Sequence, residues 1–276
     1  MASTPLPDAA DMSPQAVMAR AAAARGDMFP EWQIVAEAAP QTVAMVTRTG
    51  GYLHKYEGQS SGDQELSVQM RELIATPAIC AKGDLRHAPN HIRRMYRMGM
   101  TNQVIIEAAT VFGMVVGWAN MLNVAFAISE ALSPDYPFGE LPPGGAPEKL
   151  APFPELEMGR DRVAGAPGRL SDRPEWTFGA GIDPELVRRI EAWADHCLPN
   201  EASDACLLGN GPRELIVIAA LATRGEAARA ADHIRNAYDW GMSPRQVLEA
   251  ISATMPMTGM ITVEIGLEAM ALAADA

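Results

Sequence analysis

Cysteine is scarce in this chain, with three among 276 residues: Cys80, Cys197 and Cys206. They are too few and too scattered for a disulfide framework, and none forms a Cys-x-x-Cys pair. Reduced thiols and a cytoplasmic location are the expectation. Positive charge is also short. Twenty-two Lys and Arg face 34 Asp and Glu, a formal charge of −12. Nucleic acid is thereby excluded as a partner, because phosphate binding relies on clustered cations. Only three of the cations are lysines (Lys55, Lys82, Lys149), a bias to which no function attaches. The start, Met1 to Gly26, carries Asp8 and Asp11 and has no continuous apolar stretch, so it does not read as a secretory signal. What is present is ordinary for a folded domain: 48% hydrophobic and 20% charged residues.

One apolar run tests for a membrane. Between Ala108 and Ile128 the strongly polar side chains are Asn120, Asn123 and the indole of Trp118. The length would span a bilayer, but two amides are costly in lipid and no Lys/Arg cluster follows. An internal repeat settles the matter. Shifted by 142 residues, Arg71–Leu132 aligns without a gap on Arg213–Ala274. Arg71-Glu72-Leu73-Ile74 falls on Arg213-Glu214-Leu215-Ile216, and His91-Ile92-Arg93 on His233-Ile234-Arg235. Tyr96, Gly99-Met100, Glu107-Ala108 and Gly117 also recur, so more than a quarter of the 62 aligned positions are identical. Chance would give roughly four or five. The counterpart of the apolar run contains Pro256, Glu264 and Glu268, which no bilayer core accepts comfortably. Both segments are therefore expected to be core helices of a water-soluble fold, with no membrane partner.

Helical spacing runs through both copies, and no alternating strand pattern of useful length occurs. The expectation is an all-α chain of two tandem repeats: an N-terminal arm 1–27, a first repeat 28–132, a connector 133–181 and a second repeat 182–276. Within the first repeat, Gln64–Lys82 reads as one helix that Pro77 must kink or end. Asp84–Met98 reads as the next, closed by Gly99. Thr101 then caps a long third helix, as Ser243 does in the second copy. The connector holds nine of the 21 prolines and eight of the 23 glycines. Its Phe138, Phe153, Trp176 and Phe178 point to docking of parts of it on apolar surface.

Each copy sets a Glu 19 residues before a His: Glu72 with His91, and Glu214 with His233. The first copy adds His87, placed i,i+4 from His91 on the expected helix, with Arg86, Arg93, Arg94 and Arg97 around them. Arg71–Leu132 is net +2 where Arg213–Ala274 is net −2. A locally basic patch with two histidines fits a small anionic substrate and proton transfer by His. Two other readings stand beside it. Glu72, His87 and His91 could hold a metal for a metal-assisted hydrolase or lyase, or the repeats could form a non-catalytic binding or scaffold protein. Trp118, Met114, Met121 and parts of the connector are the expected pocket walls.

The pattern Arg-Glu-Leu … His-Ile-Arg-x-x-Tyr-x-x-Gly-Met, present twice in register, resembles the carboxymuconolactone decarboxylase and alkylhydroperoxidase D superfamily. The redox branch of that superfamily resembles Glu-x11-Cys-x2-Cys-x3-His. Here the same spacing reads Glu72, Asp84, His87, His91 in the first copy and Glu214, Glu226, Arg229, His233 in the second. With no dithiol, peroxide attack followed by disulfide formation is excluded. The resemblance then implies the decarboxylase branch: a cofactor-independent acid/base lyase on a small carboxylated, lactone or carbonyl substrate. In that light His91 is the proton-transfer group, Glu72 orients it and His87 is a second polar group. Arg86 or Arg93 would hold a substrate carboxylate, Trp118 would wall the pocket, and Glu214 and His233 are the second-repeat counterparts. The resemblance also implies a homo-oligomer, with a trimer completing a six-unit ring.

Overall fold

The computed structural model describes residues 11–25, 28–54, 64–160, 173–199 and 206–275. Among them every regular element is a helix, and none is long and apolar enough to cross a membrane. Two compact units are formed.

The first unit holds α1 (Pro14–Arg25), α2 (Glu31–Ala38) and α3 (Pro40–His54), together with 137–139. Val17, Ala21, Ala36 and Val43 make its small core, with Trp32 and Val35 against it. Phe138 docks there, its ring 4.1 Å from that of Phe29.

The second unit contains 64–136 and 140–276. It runs α4 (Val68–Ala81), α5 (Ala88–Arg97), α6 (Asn102–Val116), α7 (Ala119–Leu132), α8 (Pro174–Ile182) and α9 (Pro184–Cys197). After these come α10 (Asn210–Thr223), α11 (Ala227–Asp239), α12 (Pro244–Ala253), α13 (Met255–Thr258) and α14 (Met260–Ala274). The bounds of α4 and α10 lie 142 residues apart at both ends, and so do the C-terminal ends of the helices that follow them. One core serves both copies: Leu73, Ile92, Met95, Ile105 and Phe112 share it with Leu215, Ile218, Ile234 and Ile251. Each such side chain contributes roughly 1.5–3 kcal/mol by leaving water.

Local chemistry explains the boundaries. Ser67 caps α4 by accepting from the Met70 amide, and Ser243 with Gln246 forms a full capping box on α12. Pro77 does not end α4, which continues to Ala81. The helix expected from Asp84 begins instead at Ala88. Pro89 is the cause: five residues into a helix begun at Asp84, its ring would meet the Leu85 carbonyl, whereas at the second position it is tolerated. In the second copy Ala231 stands there, and α11 duly starts earlier, at Ala227. The expected long third helix is broken in two at Gly117, whose φ of +110° no helix accommodates.

The two copies are locked by reciprocal ion pairs of two buried arginines. Arg71 donates to Glu249 at 2.6 Å, and Arg213 donates to Glu107 at 2.5 Å. Each glutamate also accepts two backbone amides ahead of the other copy's first helix, Glu65 and Leu66 for Glu249, Leu207 and Leu208 for Glu107. The connector is stitched on at Glu155, fully buried and accepting from both the amide and the hydroxyl of Ser67. Phe153 is buried, while Phe178 stays exposed.

Candidate functional site

Glu72 on α4 is wholly buried and faces His91 on α5, whose Nδ1 lies 2.7 Å from Glu72 Oε2. Arg94, one turn further along α5, donates to Oε1 of the same carboxylate. The second copy repeats the arrangement with one change. His233 Nδ1 lies 2.6 Å from Oε2 of the buried Glu214, but Oε1 accepts from the neutral amide of Asn236 at 3.1 Å. A carboxylate on Nδ1 fixes the tautomer and orientation of the ring, so Nε2 is the nitrogen with which it can serve a ligand. Burial acts to lower the pKa of His233, and the charge and hydrogen bond of Glu214 outweigh it, so the group titrates above its ordinary value. Arg173 opposes that rise and Asp232 adds to it.

His233 lines a cavity of about 770 Å³. Its walls come from α6 (Met114, Val115), α8 (Trp176), α9 (Trp193) with Leu198 just after it, and α10 (Val217, Leu221), and its cations include Arg173, Arg224 and Arg229. Arg229 faces Glu226 at 3.8 Å and Arg173 faces Asp232 at 3.9 Å, while Arg224 makes no side-chain ion pair among the described residues. The ring of Trp193 lies 5.7 Å from that of Trp118 and 5.7 Å from that of His196.

Of the residues singled out from the sequence, the structure joins Glu72 to His91 and Glu214 to His233. His87 goes elsewhere. It lies in the turn before α5, not on the helix face of His91, and its Nδ1 pairs with Asp84 at 2.6 Å. Among the described residues no three His, Cys, Asp or Glu side chains converge as a metal set, so Glu72, His87 and His91 do not form the ligand cluster weighed above. Arg93 is buried, with its guanidinium donating to the carbonyls of Ala131, Ser133 and Tyr136, which makes it a clamp on the end of α7. Arg86 is exposed in the turn, its carbonyl accepting from the Tyr136 hydroxyl. Trp118 buttresses the cavity through Trp193, and Met114 lines it. Met121 instead accepts from the Thr110 hydroxyl. Sequence reasoning missed Arg173 and Trp193, and missed Asn236 as the partner of Glu214. The one available signal was that Arg94 and Asn236 follow the two histidines at the same offset.

The family model for the carboxymuconolactone decarboxylase family matches residues 40–131. No curated protein sequence matches the chain. Among solved structures, the chain is similar to a protein of Burkholderia xenovorans LB400 provisionally named as a gamma-carboxymuconolactone decarboxylase subunit. The two are 20% identical, with 98% of each chain covered and a TM-score of 0.52. That likeness concerns the fold.

Proposed function

From the match of residues 40–131 to the model of the carboxymuconolactone decarboxylase family, we propose that this chain is a decarboxylase-like lyase. It acts without a cofactor on a small anionic substrate whose carboxylate is borne by the carbon next to a ketone or lactone carbonyl. The sequence placed the principal site in the first repeat; the cavity favours the second. One observation carries the reading: His233, its Nδ1 held by the buried Glu214, lines a large cavity beside Arg173. The same cavity speaks against a purely scaffolding role, for which a closed, apolar setting of both histidines would be expected.

The chemistry follows from the arrangement. As the carbon–carbon bond to the carboxylate breaks, CO₂ departs and the electron pair moves into the neighbouring carbonyl, giving an enolate. The protonated ring of His233 gives its Nε2 proton to the carbon left behind, and water restores it. Glu214 orients the ring and stabilises its charge throughout.

The test is CO₂ release, and solvent-deuterium incorporation at the product carbon, across a panel of lactone carboxylates and β-keto acids. His233→Gln should lower turnover by about 10²–10⁴-fold with the fold unchanged, and His91→Gln by less. Treatment with a chelator should leave turnover intact. Full activity in His233→Gln would sink the assignment, and loss of activity on chelation would favour metal-assisted chemistry instead.

A further inference from the structure

The cavity is large for a small lactone acid. At about 770 Å³ it lies in the upper part of the range that encloses drug-sized ligands. Its lining mixes apolar side chains with arginines and with the carboxylates Glu191, Asp195 and Glu226. Arg173 caps α8 and Trp176 follows three residues later, so both come from one turn and present neighbouring faces. The guanidinium of Arg173 lies against Asp232, the residue before His233, but at 3.9 Å it is outside hydrogen-bond range. Its donors therefore have capacity for an anion beside His233. Among the apolar groups, Trp193 has the rings of Trp118 and His196 each 5.7 Å from its own, and Met114, Leu198 and Leu221 extend the wall. Indoles and aliphatic side chains lining one cavity make a surface for a flat, carbon-rich body.

We propose that the His233 cavity takes an acid with an aromatic or similarly extended apolar body, Arg173 holding its carboxylate beside His233 while Trp176 and Trp193 enclose the body. This substrate class rests on the reading of His233 as the working group. Arg173 is thus a binding residue, and Trp176 and Trp193 determine specificity. The rest of the ligand, not only its reacting end, supplies the affinity.

Calorimetric titration of the full chain with 2-naphthoate, acetate and 2-naphthamide tests it. The naphthoate should bind at least about tenfold more tightly than acetate. Arg173→Gln, with Arg173→Lys as the charge-retaining control, should weaken naphthoate about tenfold and leave the amide unchanged. Trp176→Ala should weaken both aromatic probes. Equal affinity for naphthoate and acetate, no detectable naphthoate binding at millimolar concentration, or an Arg173→Gln protein that binds naphthoate as well as the native chain would overturn the substrate class. Binding as described, with no turnover of any aryl-bearing β-keto acid, would count against the lyase reading and leave the binding assignment standing.

Discussion

Asn236 stands in the second repeat where Arg94 stands in the first: each reaches Oε1 of the glutamate whose Oε2 holds a histidine. The two dyads thus share a geometry and differ in charge. At Glu72 a guanidinium shares the carboxylate with the imidazole. At Glu214 an amide leaves the full negative charge to His233.

The first prediction concerns that charge. His233 should titrate above about 6.5, since Glu214 outweighs burial. Asn236→Arg brings a cation to Glu214 and should lower the midpoint. Glu214→Gln leaves burial and Arg173 opposed by Asp232 alone, and should carry it below 6.5. The linked stability has a definite sign. A raised histidine contributes fully below its unfolded value near 6.5, and the contribution is lost as pH rises through the folded value. Ring titration by NMR, with denaturant unfolding across the same pH window, measures both; a native midpoint at or below 6.5 would refute the account.

The second concerns the ion pairs between copies. Removing one member of a buried pair costs about 3–5 kcal/mol, because the other charge stays behind. Glu249 keeps a second cation, Arg245, at 3.1 Å, whereas Gln103 occupies the matching place near Glu107. Arg213→Met should therefore destabilise more than Arg71→Met in guanidinium unfolding. The reverse order would show that Arg245 does not compensate.

A third prediction separates backbone strain from crowding. Gly83 and Gly99 share a φ of +79°, but a Cβ on Gly99 would sit 2.5 Å from that of Ala151, while one on Gly83 meets nothing within 4 Å. Gly83→Ala should cost about 1–2 kcal/mol for the left-handed conformation alone. Gly99→Ala should cost more, because it also displaces the connector, whose Ala151 amide donates to the Gly99 carbonyl. Equal losses would discount the contact.

The fourth follows from the missing dithiol. Cys80 and Cys197 are buried, and burial pushes their thiols up to about 12. Neither should react with a disulfide reagent at pH 8 in the native protein, whereas the half-buried Cys206 should. Fast labelling of Cys80, mapped by mass spectrometry, would reopen thiol chemistry.

The all-α fold and the two Glu–His dyads were legible because helical periodicity and a 142-residue register are local, repeated signals. The start of α5 was legible in principle, since Pro89 marks it, but the spacing of His87 and His91 suggested a longer helix. The cavity was not legible. Its walls come from α6, α8, α9, α10 and α11, and which of them meet is decided by packing between distant segments, for which no periodicity speaks. Arg173 illustrates the gap: in the chain it is one cation near the end of a Pro/Gly-rich stretch, and only the fold sets it beside His233. Arg93 shows the converse, an arginine with the right neighbours in sequence whose donors are consumed by carbonyls.

The crossed pairs Arg71–Glu249 and Arg213–Glu107 have a consequence for how the molecule holds together. Each copy supplies an arginine and the glutamate that the other copy's arginine requires, which is the self-complementary contact of a two-fold homodimer written into one polypeptide. Separate halves would face one another only at whatever concentration the solution provided, and on parting would strand four ionised groups. Tethering makes the encounter intramolecular, so the association no longer depends on dilution. It also relieves the two halves of having to be identical, and that is the freedom through which one dyad keeps Arg94 while the other has Asn236.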